Sequence, residues 1–347
     1  MLITHINFAK GYRGGERQTQ LLIEELSQRG YKQKIITRDI SELADNLQGL
    51  KNTQTIKIPK PYIFNISKVK NSDILHAHET KAAQFCFFAN LIYKIPYIIT
   101  RRVDNPIKNN FFNKAMYENS SKTVVLSNAI KKETLKISID INTDTIPSSY
   151  SKFKTNKKTI EKIQNRFKDK FLIGHIGALD NKHKGQSYLI EAMKKVEKIY
   201  PDIHLILLGR GDDELWLKEQ TKDMTNITFE GFVQNVGDYI KAFDMFVFPS
   251  LNEGLGSILF DVIQGGVPIA ASNVGGIVDI IQHNKNGILF EVKNSQAIFE
   301  VIQRLYNSKD LREKLSFEAY KSIENFSCEV MTNRYINMYK SIKIEKN

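Results

Sequence analysis

Only two cysteines occur in 347 residues, Cys86 and Cys328, and neither belongs to a spaced set. That excludes a disulfide framework and the paired-cysteine zinc modules, and it implies a reduced, cytoplasmic setting. Long apolar runs are missing as well. The most apolar stretch, residues 82–100, is interrupted by Gln84, Asn90, Lys94 and Pro96, which excludes it as a membrane span. The first residues, Met-Leu-Ile-Thr-His-Ile-Asn-Phe, lack the basic region and cleavage site of a signal peptide and are expected to form a strand. There is no Asp-x-Asp pair to hold a metal, no aromatic RNP-like motif and no repeat of 20–50 residues.

Acidic residues are outnumbered, 38 against 50 basic ones, for a net charge of +12. The excess is concentrated early: residues 1–149 hold 22 Lys and Arg against 13 Asp and Glu, residues 150–347 hold 28 against 25. Such a surface attracts an anionic small molecule or an anionic membrane face. With no nucleic-acid module in view, nucleic acid is not an expected partner.

What is present is a regular alternation of short apolar runs with amphipathic segments. Strands are expected at 2–8, 34–37, 73–76, 97–100 and 123–126, with a helix over 19–29 ended by Gly30. The alternation stops near Ile146-Pro147-Ser148-Ser149, and residues 151–170 read as a linker and a surface helix. It restarts with strands at 171–174, 204–208, 227–229, 245–248 and 268–271, and helices at 185–200, 236–242, from about 257, and at 277–283. Helical segments over 295–323 and 328–342 follow, the last with Met331, Tyr335, Met338 and Tyr339 on neighbouring turns. Strands alternating with helices predict parallel sheets, here in two doubly wound α/β domains. In such domains ligands sit outside the carboxyl ends of the strands.

Three segments at such strand ends carry chemistry. In Ser250-Leu-Asn-Glu-Gly-Leu-Gly-Ser-Ile-Leu-Phe-Asp261, Glu253 lies beyond an apolar strand in a glycine-broken loop. The helix starting near Ser257 directs N–H groups at that space and favours an anion. Glu253 is suited to hydrogen-bond sugar hydroxyls and Asp261 to hold a ribose. In Gly177-Ala-Leu-Asp-Asn-Lys-His-Lys-Gly-Gln186, Lys184 precedes a glycine and a helix, where it can neutralise a diphosphate. Leu207-Leu-Gly-Arg-Gly-Asp-Asp213 has two glycines of a phosphate turn but lacks the rest of a nicotinamide fingerprint. The plain readings are a loop acid for Glu253, a helix-face acid for Asp261 and a solvated lysine for Lys184.

Their order resembles glycosyltransferase family 4. Gly231-Phe-Val233, then Phe-Pro-Ser-x-x-Glu-Gly-x-Gly256, then Gly-Gly-Val-Pro-Ile-Ala-Ala-Ser-Asn-Val-Gly-Gly276 resemble its second-domain motifs. Gly14-Gly15-Glu16-Arg17 is similar to its glycine loop, His76-Ala-His78 to its His-x-His segment, and Phe326-Ser327 with Tyr335 and Tyr339 to its closing helix. The resemblance implies a retaining, metal-independent enzyme of GT-B architecture: two Rossmann-like doubly wound domains facing across a cleft. It implies an acceptor-side domain over 1–149, joined by a returning helix over about 327–347, and a nucleotide-sugar domain over 150–326. The donor would be a nucleotide-diphosphate sugar, UDP- or GDP-linked, with no cofactor. Lys184 would bind its diphosphate and Glu253 its sugar hydroxyls. Gly256, Ser257 and Ile258 would offer backbone N–H groups, Asp261 would hold the ribose, and Phe232 with Val233 would border the base. His78 and Gly15 would lie near the sugar and acceptor.

The sequence departs from the family pattern twice. Asp261 stands where Glu is usual, and Ala178 where an Arg clamps the diphosphate. Arg101 or Arg102, after a strand of the first domain, is the favoured replacement, ahead of His175, Lys182 and Arg210. With these departures a nucleotide-sugar epimerase or a non-catalytic nucleotide-sugar-binding protein of the same fold remains as an alternative. The acceptor is expected to be a glycan or lipid-linked molecule in lipopolysaccharide, capsule or other surface-polysaccharide assembly. Lys108, Lys114 and Lys122 around Phe111-Phe112 suit a peripheral contact with the inner face of an anionic membrane.

Overall fold

The computed structural model describes residues 1–151 and 153–344. Lys152, within the expected linker, and 345–347, at the end of the expected returning helix, lie outside the described residues. The chain divides into two compact units, one formed by Met1–Ser149 with Phe326–Asn347, the other by Tyr150–Asn325.

The first unit holds seven parallel strands: β1 (Leu2–Asn7), β2 (Lys32–Arg38), β3 (Thr53–Ile58), β4 (Ile74–Ala77), β5 (Tyr97–Arg101), β6 (Lys122–Val125) and β7 (Thr143–Thr145). Their order is β3-β2-β1-β4-β5-β6-β7, with β1 paired to both β2 and β4. The sheet therefore reverses its winding between β1 and β4, the place where doubly wound sheets open a crevice at their carboxyl ends. The central strands are short apolar runs because helices cover both their faces. Edge strands β3 and β7 lack such runs, and sequence reasoning missed both. On one face the helices Gly14–Gln28 and Cys328–Ile344 pack together through Leu22, Leu26, Met331, Tyr335, Met338 and Tyr339 over Ile3, Ile74 and Ile98. Each such fully buried side chain is worth about 1.5–3 kcal/mol, so the last segment of the chain completes the core of the first unit.

The second unit repeats the plan with β8 (Phe171–Ile176), β9 (Ile203–Leu208), β10 (Ile227–Gly231), β11 (Met245–Phe248), β12 (Ile269–Ser272) and β13 (Ile288–Phe290). The order β10-β9-β8-β11-β12-β13 puts the reversal between β8 and β11. The expected helix over 277–283 is shorter, Ile277–Ile280, because the chain turns there into the three-residue edge strand β13. Both units are thus Rossmann-like.

Candidate functional site

In the second unit the loops after β8 and β11 meet at the switch point. The β8 loop is anchored by Leu179, which is fully buried with Ile190 and Leu217. It ends in the one-turn helix Asn181–Lys184, so Lys184 is a helix terminus rather than a loop residue. The Asn181 side chain accepts from Ser187 N–H at 2.8 Å, and the Asn181 backbone N–H donates to the Asp213 carboxylate at 2.7 Å. Gly185 then turns at φ +63°, and a Cβ there would lie 2.3 Å from the carbonyl of Pro249. That approach lets the two loops join: Leu251 and Asn252 N–H donate to the carbonyl of His183 at 2.8 and 3.3 Å.

The result is an ion pair between Lys184 and Glu253, with side-chain exposures of 21% and 16%. Lys184 Nζ also stands 5.3 Å from the ring centroid of Phe248. Ser250 Oγ donates to Glu253 Oε2 at 3.5 Å. From behind, Gly275 and Gly276 support the Glu253 loop: Gly276 N–H donates to the Glu253 carbonyl at 2.9 Å, and a Cβ on Gly275 would stand 2.1 Å from that oxygen. The Gly209-Arg210-Gly211 segment supports the Lys184 loop in the same way. A Cβ on Gly209 would meet the Gly177 carbonyl at 1.9 Å. The two glycines of that suspected phosphate turn are therefore explained by loop packing.

Gly256 turns at φ +82° into the helix Ile258–Gly265, opened by Ser257 and Ile258. Asp261, in the first turn of that helix, accepts the backbone N–H of Ser151 at 2.7 Å and so holds the segment entering the unit. Phe232 is 73% exposed just past β10, with Val233 half-buried beside it. The Arg210 side chain approaches Gly231, and both Arg210 and Lys182 are exposed.

His175 is excluded as a replacement clamp. It is fully buried on β8, its Nδ1–H donates to the Val247 carbonyl at 3.0 Å, and burial pushes its pKa down to about 4. It is a neutral strut between β8 and β11. Gln186, also fully buried, bonds the Ala178 carbonyl at 2.7 Å and reaches His175 Nε2 at 3.4 Å. Sequence reasoning passed over Gln186. Its only signal is an amide at the first position of an otherwise amphipathic helix.

In the first unit, Gly15 lies in the first turn of the helix Gly14–Gln28, whose start is tied by Arg13 N–H donating to Glu16 at 3.0 Å. A Cβ on Gly15 would come 3.2 Å from Arg102 Cδ, so the glycine makes room for that arginine. Arg102 Nη2 donates to Thr19 Oγ1 at 3.4 Å and to His78 Nδ1 at 3.5 Å. Arg101 closes β5, is 8% exposed, and donates to the Asn105 carbonyl and, at 3.4 Å, to Tyr117 Oη. Its guanidinium is thereby committed to its own loop. Lys122 starts β6, where it donates to Asn142 at 2.7 Å. It sits at the amino end of the sheet, a helix length from Phe111, and drops out of the expected basic cluster around that residue.

His5, His76 and His78 lie close enough for their nitrogens to share an ion. Their bonding argues otherwise. His76 is held by Tyr339 and Thr100, both at 2.7 Å, and His5 by Gln33 at 3.1 Å and by His78 at 3.0 Å. Burial above all, then the neighbouring histidines and the Arg102 charge, holds the His76 and His78 pKa values well below 6.5. The cluster fits a neutral polar core better than a cation site.

Residues 156–322 match the family model for glycosyl transferases group 1. The matched stretch covers nearly all of the second unit, which is similar to a group 1 glycosyltransferase domain. Curated relatives agree: the chain is 27% identical over 191 residues to the capsular polysaccharide biosynthesis glycosyltransferase CapM of Staphylococcus aureus, covering 54% of this chain and 50% of CapM. It is 29% identical over 239 residues to the glycosyltransferase MJ1607 of Methanocaldococcus jannaschii, covering 64% and 60%. The chain thus spans about half the length of the curated relatives it matches. The crystal structure of Anabaena Alr3699/HepE in complex with UDP superposes with a TM-score of 0.88 over 98% of this chain and 100% of that one, at 17% identity. That likeness is one of fold, and it gives both units the Rossmann-like plan of GT-B proteins. In the second unit, the ion-paired Lys184 and Glu253 occupy the switch point, where such a fold binds ligands.

Proposed function

We propose that this protein is a retaining glycosyltransferase of family 4 that takes a sugar from a UDP- or GDP-linked donor. The observation that carries the reading is the Lys184–Glu253 pair, held by two glycine-buttressed loops beside the start of the helix Ile258–Gly265. A diphosphate leaving group needs positive charge as its bond to the anomeric carbon breaks. Lys184 and the first N–H groups of that helix, from Gly256 to Ile258, supply it, so no metal is required. Glu253, freed from Lys184 as the phosphate arrives, turns to the sugar hydroxyls. Asp261, in the first turn of that helix, holds the ribose, and Phe232 with Val233 borders the base. The acceptor hydroxyl attacks the anomeric carbon on the face that the phosphate leaves. That phosphate takes the hydroxyl proton, and configuration is kept. His78, Gly15 and Arg102 line the acceptor side. CapM, a capsule enzyme by name, supports an acceptor in bacterial surface-polysaccharide assembly.

Thermal unfolding with UDP, GDP, ADP and CMP tests the donor. One diphosphate at about 100 times its wild-type Kd adds roughly 2.7 kcal/mol to the wild type and less, about 1–2 kcal/mol, to Lys184→Ala. Product analysis by NMR must then show an unchanged anomeric configuration in the presence of a chelator. A free, epimerised sugar, or binding without turnover, would overturn the reading.

We also infer a peripheral, cytoplasmic contact with an anionic membrane. Among the described residues no helix is long and apolar enough to cross one. The helix Thr80–Tyr93 nevertheless turns Phe88, Leu91 and Ile92 outward, and Phe88 meets Phe112 at 5.8 Å beside Phe111, which is 89% exposed. Lys94, which caps that helix, Lys108, and Lys114 on the helix that begins at Phe111 are all exposed. Sedimentation with phosphatidylglycerol vesicles, lost in Ile92→Ser/Phe111→Ser and absent with phosphatidylcholine, is the expected result. Equal binding to both vesicles would refute it.

A further inference from the structure

The switch point of the first sheet is occupied by histidines. His5 on β1 is the register partner of His76 on β4, and His78 follows at the end of β4, its N–H donating to the Ile6 carbonyl at 3.0 Å. All three rings are buried. Five of their six ring nitrogens are held at 2.7 to 3.1 Å. The sixth, His78 Nδ1, has only the long 3.5 Å contact to Arg102.

The protons in this cluster are fixed from one end. Gln33 places its amide nitrogen 3.0 Å from the carbonyl of Ile23, which can only accept. Its other atom, Oε1, can only accept as well, and it faces His5 Nε2 at 3.1 Å. His5 must therefore carry its proton on Nε2 and keep Nδ1 bare. That bare nitrogen lies 3.0 Å from His78 Nε2, which must then be the protonated nitrogen of His78. His78 Nδ1 is left with its lone pair, next to a guanidinium that can only donate. Among the described residues no carboxylate is bonded to the rings. The groups bonded to them, besides Gln33, are Arg102, Thr100 and Tyr339, with Tyr335 on Thr100, and Glu16 is the acid whose charge acts on Arg102.

We propose that His5 is a positioning residue that locks His78 in the Nε2–H tautomer, so that His78 Nδ1 is presented as an acceptor to a hydroxyl of the sugar or the acceptor. The proposal rests on the reading of His78 as a site residue, and it deepens that reading. A neutral histidine in this tautomer orients a hydroxyl by accepting its hydrogen. It cannot act as an acid from that face. Arg102, donating nearby, recognises the same hydroxyl oxygen or a neighbouring one. Together they make a donor–acceptor pair for a polyol.

The test is a tautomer measurement on the full chain with nitrogen-15-labelled histidine, which needs no substrate. Wild type is expected to show His78 protonated at Nε2 alone. His5→Phe keeps the ring volume and removes the acceptor; His78 should then populate both tautomers, and kcat/KM should fall about tenfold. His5→Asn leaves a void but puts an amide oxygen where Nδ1 was. It should restore the single tautomer and most of the rate. A purely structural His5 would give the reverse ranking, with Phe better tolerated than Asn. If His5→Phe does not fold, Gln33→Met releases the same chain of protons from its other end and should also mix the tautomers. A wild-type His78 protonated at Nδ1, or a tautomer indifferent to all three changes, overturns the proposal. Correct tautomers without any transferase activity would leave the positioning intact and count against the function instead.

Discussion

Removing the charge of Glu253 is expected to separate binding from turnover. In the free protein Glu253 neutralises Lys184, so a donor diphosphate has to compete with a carboxylate for the lysine. Two unit charges about 4 Å apart at an effective dielectric of 20 interact by about 4 kcal/mol. Both side chains keep some contact with water, at 21% and 16% exposure, and screening reduces this to about 1–2 kcal/mol. Lys184→Ala should therefore weaken binding of the nucleoside diphosphate by about 5- to 30-fold, at 1.4 kcal/mol per tenfold. Glu253→Gln removes the competitor, so affinity should stay level or rise by up to about tenfold. Its turnover should fall by about a hundredfold or more, since the group that meets the sugar hydroxyls has lost its charge. Calorimetric titration of wild type, both single variants and the double variant, beside steady-state rates, gives the coupling directly. If Glu253→Gln lost nucleotide affinity in step with Lys184→Ala, Glu253 would be binding the nucleotide rather than guarding the lysine, and the competition argument would fail.

Three further outcomes are expected. Gly275→Ala puts a Cβ 2.1 Å from the Glu253 carbonyl at φ +56°; overpacking and the left-handed backbone together cost about 2–5 kcal/mol, read as a Tm lower by several degrees and a loss of turnover. Asp261→Ala removes the acceptor of the Ser151 N–H and should cost about 1–2 kcal/mol of stability, with weaker binding of nucleotides than of inorganic diphosphate as the sign of its ribose role. The stability should also decline in acid. His175 has a pKa of about 4 in the folded protein against 6.5 unfolded, so the unfolded chain binds the extra proton and stability is lost as pH falls from 6.5 towards 4. The loss from this group is about 2 kcal/mol by pH 5, with His5, pushed to about 3 by burial, acting in the same direction. Chemical denaturation at pH 8 and pH 5 measures it, and His175→Gln should reduce the difference by about 2 kcal/mol.

Most of the fold was legible because central strands of a doubly wound sheet are buried on both faces and must be apolar throughout. Met245–Phe248 and the helix Val236–Ala242 are found where the pattern predicts them. Strands β3, β7 and β13 were not legible. They lie at sheet edges, where one side needs no neighbour, and two of them are three residues long. The loop residues of the second unit could be picked out because glycines and strand ends mark where a ligand can approach. The fate of single charges could not: nothing in the sequence shows that Arg101, Lys122 and His175 are taken up by the Asn105 carbonyl, Asn142 and the Val247 carbonyl.

The sequence by itself determined the alternation, the two apolar sheets and the order of the glycine-marked loops, since these depend on local period and on burial. The tertiary structure alone decided that the glycine pairs are supports for the Lys184 and Glu253 loops, because a missing Cβ has meaning only against the backbone it would strike. It also decided the protonation of His78. That state depends on the Ile23 carbonyl, reached through Gln33 and His5. Hydrogen bonds pass direction from one group to the next, and residues distant in the chain become neighbours only when the strands pair.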